Sequence, residues 1–216
     1  MYIPEHFRVH DHADAVAFMR ANPFAILISS PPVSSNDDGP FATHLPVFVV
    51  ESEEHLILRG HVAKANPQWR HLEQNPKSLA IFHGPHAYVS ASNYTMRENV
   101  PTWNYGAVHA YGSARIFASP EELQGVLHQL IGTFEPAYAE QWASLSESYR
   151  ERMLSHIVGF EIAVTKVEAK FKLSQNRTKE EQSNVITSLG KADDTAISGV
   201  SRLMHEQGLG VKKRSE

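Results

Sequence analysis

Cysteine is absent from the 216-residue sequence. Disulfides, thiolate catalysis, cysteine-type zinc sites and iron–sulfur clusters are therefore excluded. No apolar run approaches the roughly 18 residues needed to cross a bilayer, so no membrane-spanning helix is expected. The opening residues, MYIPEHFRVHDHADAV, lack a basic stretch followed by an apolar one, so no secretory leader is expected and the sequence reads as cytoplasmic. Basic charge is scarce as well: 20 Lys and Arg stand against 24 Asp and Glu, a net charge of −4 with histidines neutral. No surplus is available to neutralise a nucleic-acid backbone. G-x-S-x-G, P-loop and G-x-G-x-x-G patterns are also missing, which removes support for an acyl-transfer elbow, Walker-type nucleotide binding and Rossmann dinucleotide binding.

What is present describes a globular chain with a real core, 42% hydrophobic and 20% charged. Thirteen histidines are its one compositional excess. His6, His10 and His12 cluster near the start, and His83 and His86 flank Gly84-Pro85. No H-E-x-x-H or comparable ligand spacing accompanies them, so they read as hydrogen-bonded or surface residues and no metal site is expected.

Residues 11–22 read as a helix with Asp11 as N-cap, stopped by Pro23. FAILISS (24–30) reads as a strand, and the turn formers of 31–40 as a loop. ATHLPVFVV (42–50) alternates as one strand with an edge or bulge at Pro46. An acidic turn and HLILRGH (55–61) follow. Residues 66–73 form a short helix with Asn66 as N-cap and Pro67 at the first helical position. SLAIFHG (78–84) and HAYVSAS (86–92) read as two strands.

The longest strand-like run is 103–118. Trp103, Tyr105, His109, Tyr111, Arg115 and Phe117 share one face, suited to a ligand or a subunit interface. Asn104, Gly106, Val108, Ala110, Gly112, Ala114 and Ile116 share the other, small enough for a tight barrel interior. Ser119 and Glu122 predict a capping box for a helix over 119–134, and a second helix is expected over 146–156. In 159–174 the apolar phase switches between Val164 and Val167, which predicts a bulge. Thr178 and Glu181 make another capping box, residues 193–208 look helical, and KKRSE should fray. Six or more strands with few helices favour a mainly β, α+β protein built on a β-barrel.

Four segments carry more polar and aromatic character than structure alone requires. THLP (43–46) is the first. RGHVAKANPQ (59–68) joins a strand end, Lys64 and a helix start, a combination suited to phosphate or to an ordinary exposed lysine and cap. PTWNY (101–105) offers flat apolar surface with polar handles, suited to a planar ring or to core and dimer contacts. KLSQNR (172–177) is a donor-rich cluster ahead of a helix that Thr178 already caps, or a plain capping loop.

Taken in order, ATHLP, LRGHVAKANPQW, HAYVSASNY, VPTWNYGAVHAYGSARI and KLSQNR resemble the PaiB-like family, described as FMN-binding negative transcriptional regulators. The resemblance runs from MYIPEHF to about residue 190. It implies an FMN-binding split barrel related to pyridoxamine-phosphate oxidases over 1–174, with a helical insertion at about 119–156 and a C-terminal helical extension over 175–216. It implies a homodimer holding FMN at the subunit interface. On the matching motifs, Lys64 would hold the phosphate, and Thr43, His44 and Leu45 would run beside the ring. Trp103, Asn104 and Tyr105 would approach from the long strand, and Ser174 and Gln175 from the segment that closes over cofactor. His61 and Asn66 complete the implied set. Where many relatives show a Pro-Ser-Trp type sequence this chain has Ala91-Ser92-Asn93, which implies a more open or more polar flavin pocket.

Two functions compete, an FMN-binding regulator and a flavin-dependent oxidoreductase without direct DNA contact. The oxidoreductase needs only orientation of a substrate against the flavin, and no residue pair declares a reaction. For DNA, residues 191–216 hold five Lys and Arg against four Asp and Glu, three of the five in the terminal KKR. That is thin for a recognition helix. Haem handling would need an axial histidine, and none is singled out.

Overall fold

The computed structural model describes residues 1–31, 39–51 and 55–211. Most of the predicted loop at 31–40, the acidic turn before His55 and the KKRSE end lie outside the described residues. Among the described residues, helices α1 (His12–Ala21), α2 (Gln68–Gln74), α3 (Pro120–Phe134), α4 (Tyr138–Ser144), α5 (Glu147–Leu154), α6 (Lys179–Leu189) and α7 (Thr195–Glu206) accompany seven strands. These are β1 (Phe24–Ser29), β2 (Phe41–Pro46), β3 (Phe48–Glu51), β4 (Leu56–Ala63), β5 (Lys77–Val89), β6 (Thr102–Phe117) and β7 (Ile157–Lys172). The strand order is β2-β1-β5-β6-β7-β4-β3, an open sheet with β2 and β3 as its edges. The expected α+β class holds, and the sheet is split rather than closed.

The expected single strand over 42–50 is two strands. Pro46 has no N–H for a ladder, and the Val47 N–H leaves the sheet pattern to bond Pro23 O at 2.8 Å. β2 therefore stays with β1, pairing Thr43 with Leu27, while β3 turns to β4, pairing Phe48 with Arg59. The two strands expected at 78–84 and 86–92 are instead one, β5. Pro85 is tolerated inside it because β1 pairs only with Ser78–Ile81, leaving no bond to β1 for residue 85 to lose. Helix α4 has no counterpart in the sequence expectations, since Ala137 starts it without a side-chain cap.

The capping boxes divide. Thr178 and Glu181 form both halves. Ser119 Oγ accepts from the Glu122 N–H at 3.3 Å, but the Glu122 carboxylate is drawn to Ser119 Oγ and to Arg115 Nη1 at 2.8 Å. In β7 the buried positions are 158–160 and 162, then 169–171, with none buried over 163–168, the stretch that contains the expected change of phase.

The chain divides into two compact units. A terminal unit comprises Met1–Phe18, His83–Val108 and the residues from Glu168 onward; a central unit comprises Met19–Phe82 and His109–Val167. In the terminal unit Phe18 packs on Phe171 with ring centroids 5.0 Å apart. Gly106 lets that packing happen, since a Cβ there would lie 2.6 Å from the Phe18 ring. α6 and α7 bury Val185, Val200 and Met204, and Ser201 Oγ donates to Ile186 O at 2.9 Å.

The central unit buries Leu27, Leu58, Phe82, Phe160 and Ile162 without measurable exposure. Phe160 pairs with Gly60 across β4 and β7, and its ring fills the space that a Cβ at 60 would need. A satellite cluster of Phe117, Leu123, Val126 and Leu154 seats α3 and α5. Arg59 and Arg115 both reach the Glu161 carboxylate, the latter at 2.7 Å.

Candidate functional site

In the central unit, the ends of β2 and β4 and the turn before α2 gather several of the expected ligands. Asn66 Nδ2 donates to Thr43 Oγ1 at 3.0 Å, joining two motifs separated by 23 residues. The main chain of Lys64 is held at both ends: its N–H donates to His156 O at 2.7 Å, and its carbonyl accepts from Trp69 Nε1 at 3.0 Å. Its side chain is exposed, and its ammonium has no partner among the described residues. A fixed backbone with a free cation is what an anion-holding lysine requires.

The helix start itself offers little. α2 begins at Gln68, one residue later than the sequence suggests, because Pro67 is the cap residue by backbone geometry. Asn66 still supplies the capping oxygen, accepting from the Gln68 N–H at 2.9 Å. That first free donor is therefore used. Gln68 is fully buried, and its amide donates to Leu27 O at 2.8 Å, so this glutamine anchors the helix to β1. His44 is exposed beside Phe24, with ring centroids 6.3 Å apart. Leu45 is 5% exposed, so only its main chain is available to a ligand.

His61 is half-buried, and burial lowers its pKa below the ordinary 6.5. Below pH 6.5 the unfolded chain therefore takes the proton first. Stability should fall as pH drops from about 6.5 toward the lowered native value, and be flat above it. His61→Gln should reduce that slope; denaturant midpoints measured between about pH 7.5 and 5.5 check it, and an unchanged slope would remove the assignment.

In the terminal unit, Trp103 is 53% exposed and heads an aromatic row. It stacks on His86 at 6.2 Å and 30°, meets Tyr88 edge-on at 6.1 Å, and His86 in turn meets His83 at 4.8 Å. His86 and Tyr88 were not among the expected ligands; their signal was the shared parity of 86 and 88 in β5. Tyr105 is half-buried under the ammonium of Lys170, 5.3 Å from its ring. Asn104 is fully buried, and its amide bonds Ser174 Oγ at 2.9 Å. Ser174, itself 3% exposed, holds a left-handed backbone with φ 64°. Gln175 folds back on its own strand end, donating to Phe171 O at 2.5 Å and accepting from the Leu173 N–H at 2.7 Å. Asn104, Ser174 and Gln175 thus organise the end of β7. Asn93 closes a one-turn helix through Nδ2 to Ser90 O at 3.0 Å. Among the described residues no group of three or more His, Asp or Glu is placed to hold a metal.

Residues 1–166 match the family model described as "Putative FMN-binding domain". The chain is 38% identical over 209 residues to Bacillus subtilis "Protease synthase and sporulation protein PAI 2", covering 96% of this chain and 98% of that protein. An uncharacterized protein of Emericella nidulans is 30% identical over 227 residues, covering 88% of this chain and 90% of its own. Among solved structures, a conserved hypothetical protein of Mycobacterium tuberculosis has a TM-score of 0.57 at 13% identity, covering 82% of this chain and 94% of that one. The FAD and heme binding protein of Mycobacterium smegmatis has a TM-score of 0.58 at 14% identity, covering 76% and 73%. These two likenesses bear on the fold. The motifs spread along the sequence, the family model and the bacterial relative agree, and the chain belongs to the FMN-binding-domain family of PaiB-like proteins.

Proposed function

We propose that this protein binds FMN, with the flavin's phosphate on Lys64. The observation that carries this reading is the Asn66–Thr43 hydrogen bond beside the anchored backbone and free ammonium of Lys64. Thr43, His44 and the Leu45 main chain would then run beside the ring, with His61 and Asn66 completing the set around Lys64. Trp103, exposed on β6, is the kind of side chain on which an isoalloxazine ring stacks, with Tyr105 half-buried in the same strand and Asn104 acting through its bond to Ser174. In the homodimer implied by the family resemblance, FMN would lie at the subunit interface.

Bound flavin supplies redox chemistry, or a redox-sensitive ligand for a regulator. The regulatory reading follows from the family resemblance. Direct DNA contact has a weaker footing, because Arg202 is the only Lys or Arg in α7, and that helix buries Val200, Leu203 and Met204. Flavin-free protein titrated with FMN and with riboflavin tests the proposal. Saturable FMN binding, tighter than riboflavin binding, is expected; failure to bind added FMN would sink it.

A further inference from the structure

Lys172, at the end of β7, begins the KLSQNR motif, and a cavity of about 180 Å3 opens beside it. Thr102, Asn104, Ser174, Asn176 and Arg177 line the same cavity with Lys172, and Phe7 and Val100 add apolar wall. No carboxylate is among the lining residues. Every residue of this cavity belongs to the terminal unit.

Among the described residues the cations here have no counter-charge. Lys172 Nζ donates to Thr102 Oγ1 and, at 2.5 Å, to Trp103 O, which leaves one of its three hydrogens unspent. Arg177 Nη1 donates to Asn99 Oδ1 at 2.6 Å, and its guanidinium lies 4.0 Å from the Tyr94 ring centroid. Neither has a carboxylate partner among the described residues. Burial, then Lys170, then Arg177 push the Lys172 ammonium below the ordinary lysine range. The nearby Lys170 ammonium is 7% exposed as a residue and bonds only Tyr2 O, at 3.3 Å, among the described residues. Glu181, the buried acid of α6, is engaged by Thr178 and Thr95.

Gathering like charges around a half-buried lysine costs free energy unless an anion offsets it. The cationic side chains are held by neutral partners, so their direction is fixed before any ligand arrives. A cavity this size is below the roughly 300–1,000 Å3 that holds a whole drug-sized ligand. It suits one charged group.

We propose that this cavity is an oxyanion site, taking a phosphate or carboxylate group between Lys172 and Arg177 with Thr102 and Asn176 as neutral ligands. The cavity shares Asn104 and Ser174 with the residues the family resemblance implies for FMN, so the test separates the two readings. Its occupant is either a separate small anion or the phosphate of a larger molecule, FMN included; the chemistry of recognition is the same.

Calorimetric titration of the full-length protein with inorganic phosphate and with acetate, before and after FMN loading, tests it. Saturable binding of either anion is expected, weakened about tenfold or more by Lys172→Met and by Arg177→Gln. Arg177→Gln keeps the test valid if Lys172→Met fails to fold, and thermal midpoints report on both. Phosphate bound equally by FMN-loaded protein identifies a separate anion. Phosphate that competes with FMN but not with riboflavin identifies the flavin's own phosphate, which supports this site and displaces Lys64 from that role. No binding of either anion, or binding unchanged in both folded variants, overturns the proposal.

Discussion

Lys64→Ala is expected to weaken FMN binding about tenfold while leaving riboflavin binding nearly unchanged. Hydrogen bonds to charged groups contribute about 1.5–3 kcal/mol, and the exposed position of Lys64 argues for the lower end. The two flavins separate the possible causes. Riboflavin has the same ring but no phosphate, so a lysine acting on phosphate affects only FMN. The backbone at 64 is held by His156 O and Trp69 Nε1 through main-chain atoms, which alanine keeps. Parallel equilibrium titrations measure the effect. Equal losses for both flavins would mean that the turn had been distorted, and no loss for either would remove Lys64 from the site.

Phe160→Ala should lower stability by about 3–5 kcal/mol, the range for truncating a buried phenylalanine. Phe160 has no exposed surface, and its ring covers Gly60 on the neighbouring strand. Alanine would leave a cavity over a glycine, which has no side chain to collapse into it. For a chain of this size that corresponds to a fall in Tm of about 10 °C. Because β4 leads directly to the Lys64 turn, FMN should restore part of the loss by binding only the folded form. Thermal melts with and without FMN report both quantities; a shift within a degree or two of the wild-type protein would contradict the packing described.

Much of the architecture is legible in residue types. Thr178 with Glu181 announces α6, and Asp194 caps α7 by accepting from Ala196 and Ile197. The long alternation of β6 is visible because one of its faces is small; Asn104, Gly106, Val108 and Ala110 are buried, whereas Gly112, Ala114 and Ile116 are only partly so and Phe117 of the other face is buried. What fails to show is partner choice. Nothing local in ATHLPVFVV says that its halves end at opposite edges of the sheet; that follows from where the Val47 N–H finds an acceptor. Gly84-Pro85 looks like a break for the same reason, since proline tolerance depends on whether a neighbouring strand is present.

The candidate residues are legible at the level of motif and obscure at the level of atoms. Thr43 and Asn66 appear in separate motifs, and their hydrogen bond becomes visible only once β2 and the α2 turn are placed. Gln175 looks like a free donor in KLSQNR, yet its amide is consumed by the main chain around it. Lys172 and Arg177, in the same motif, keep the unspent charge. Sequence supplies the donors, and geometry decides which of them remain available.

The most direct test is the absorbance spectrum of the protein as purified, followed by identification of any flavin released on denaturation. Flavin bands are expected that are lost from the protein fraction on unfolding, with FMN recovered in amounts comparable to the chain. A colourless protein that also fails to take up added FMN would contradict the proposed FMN binding.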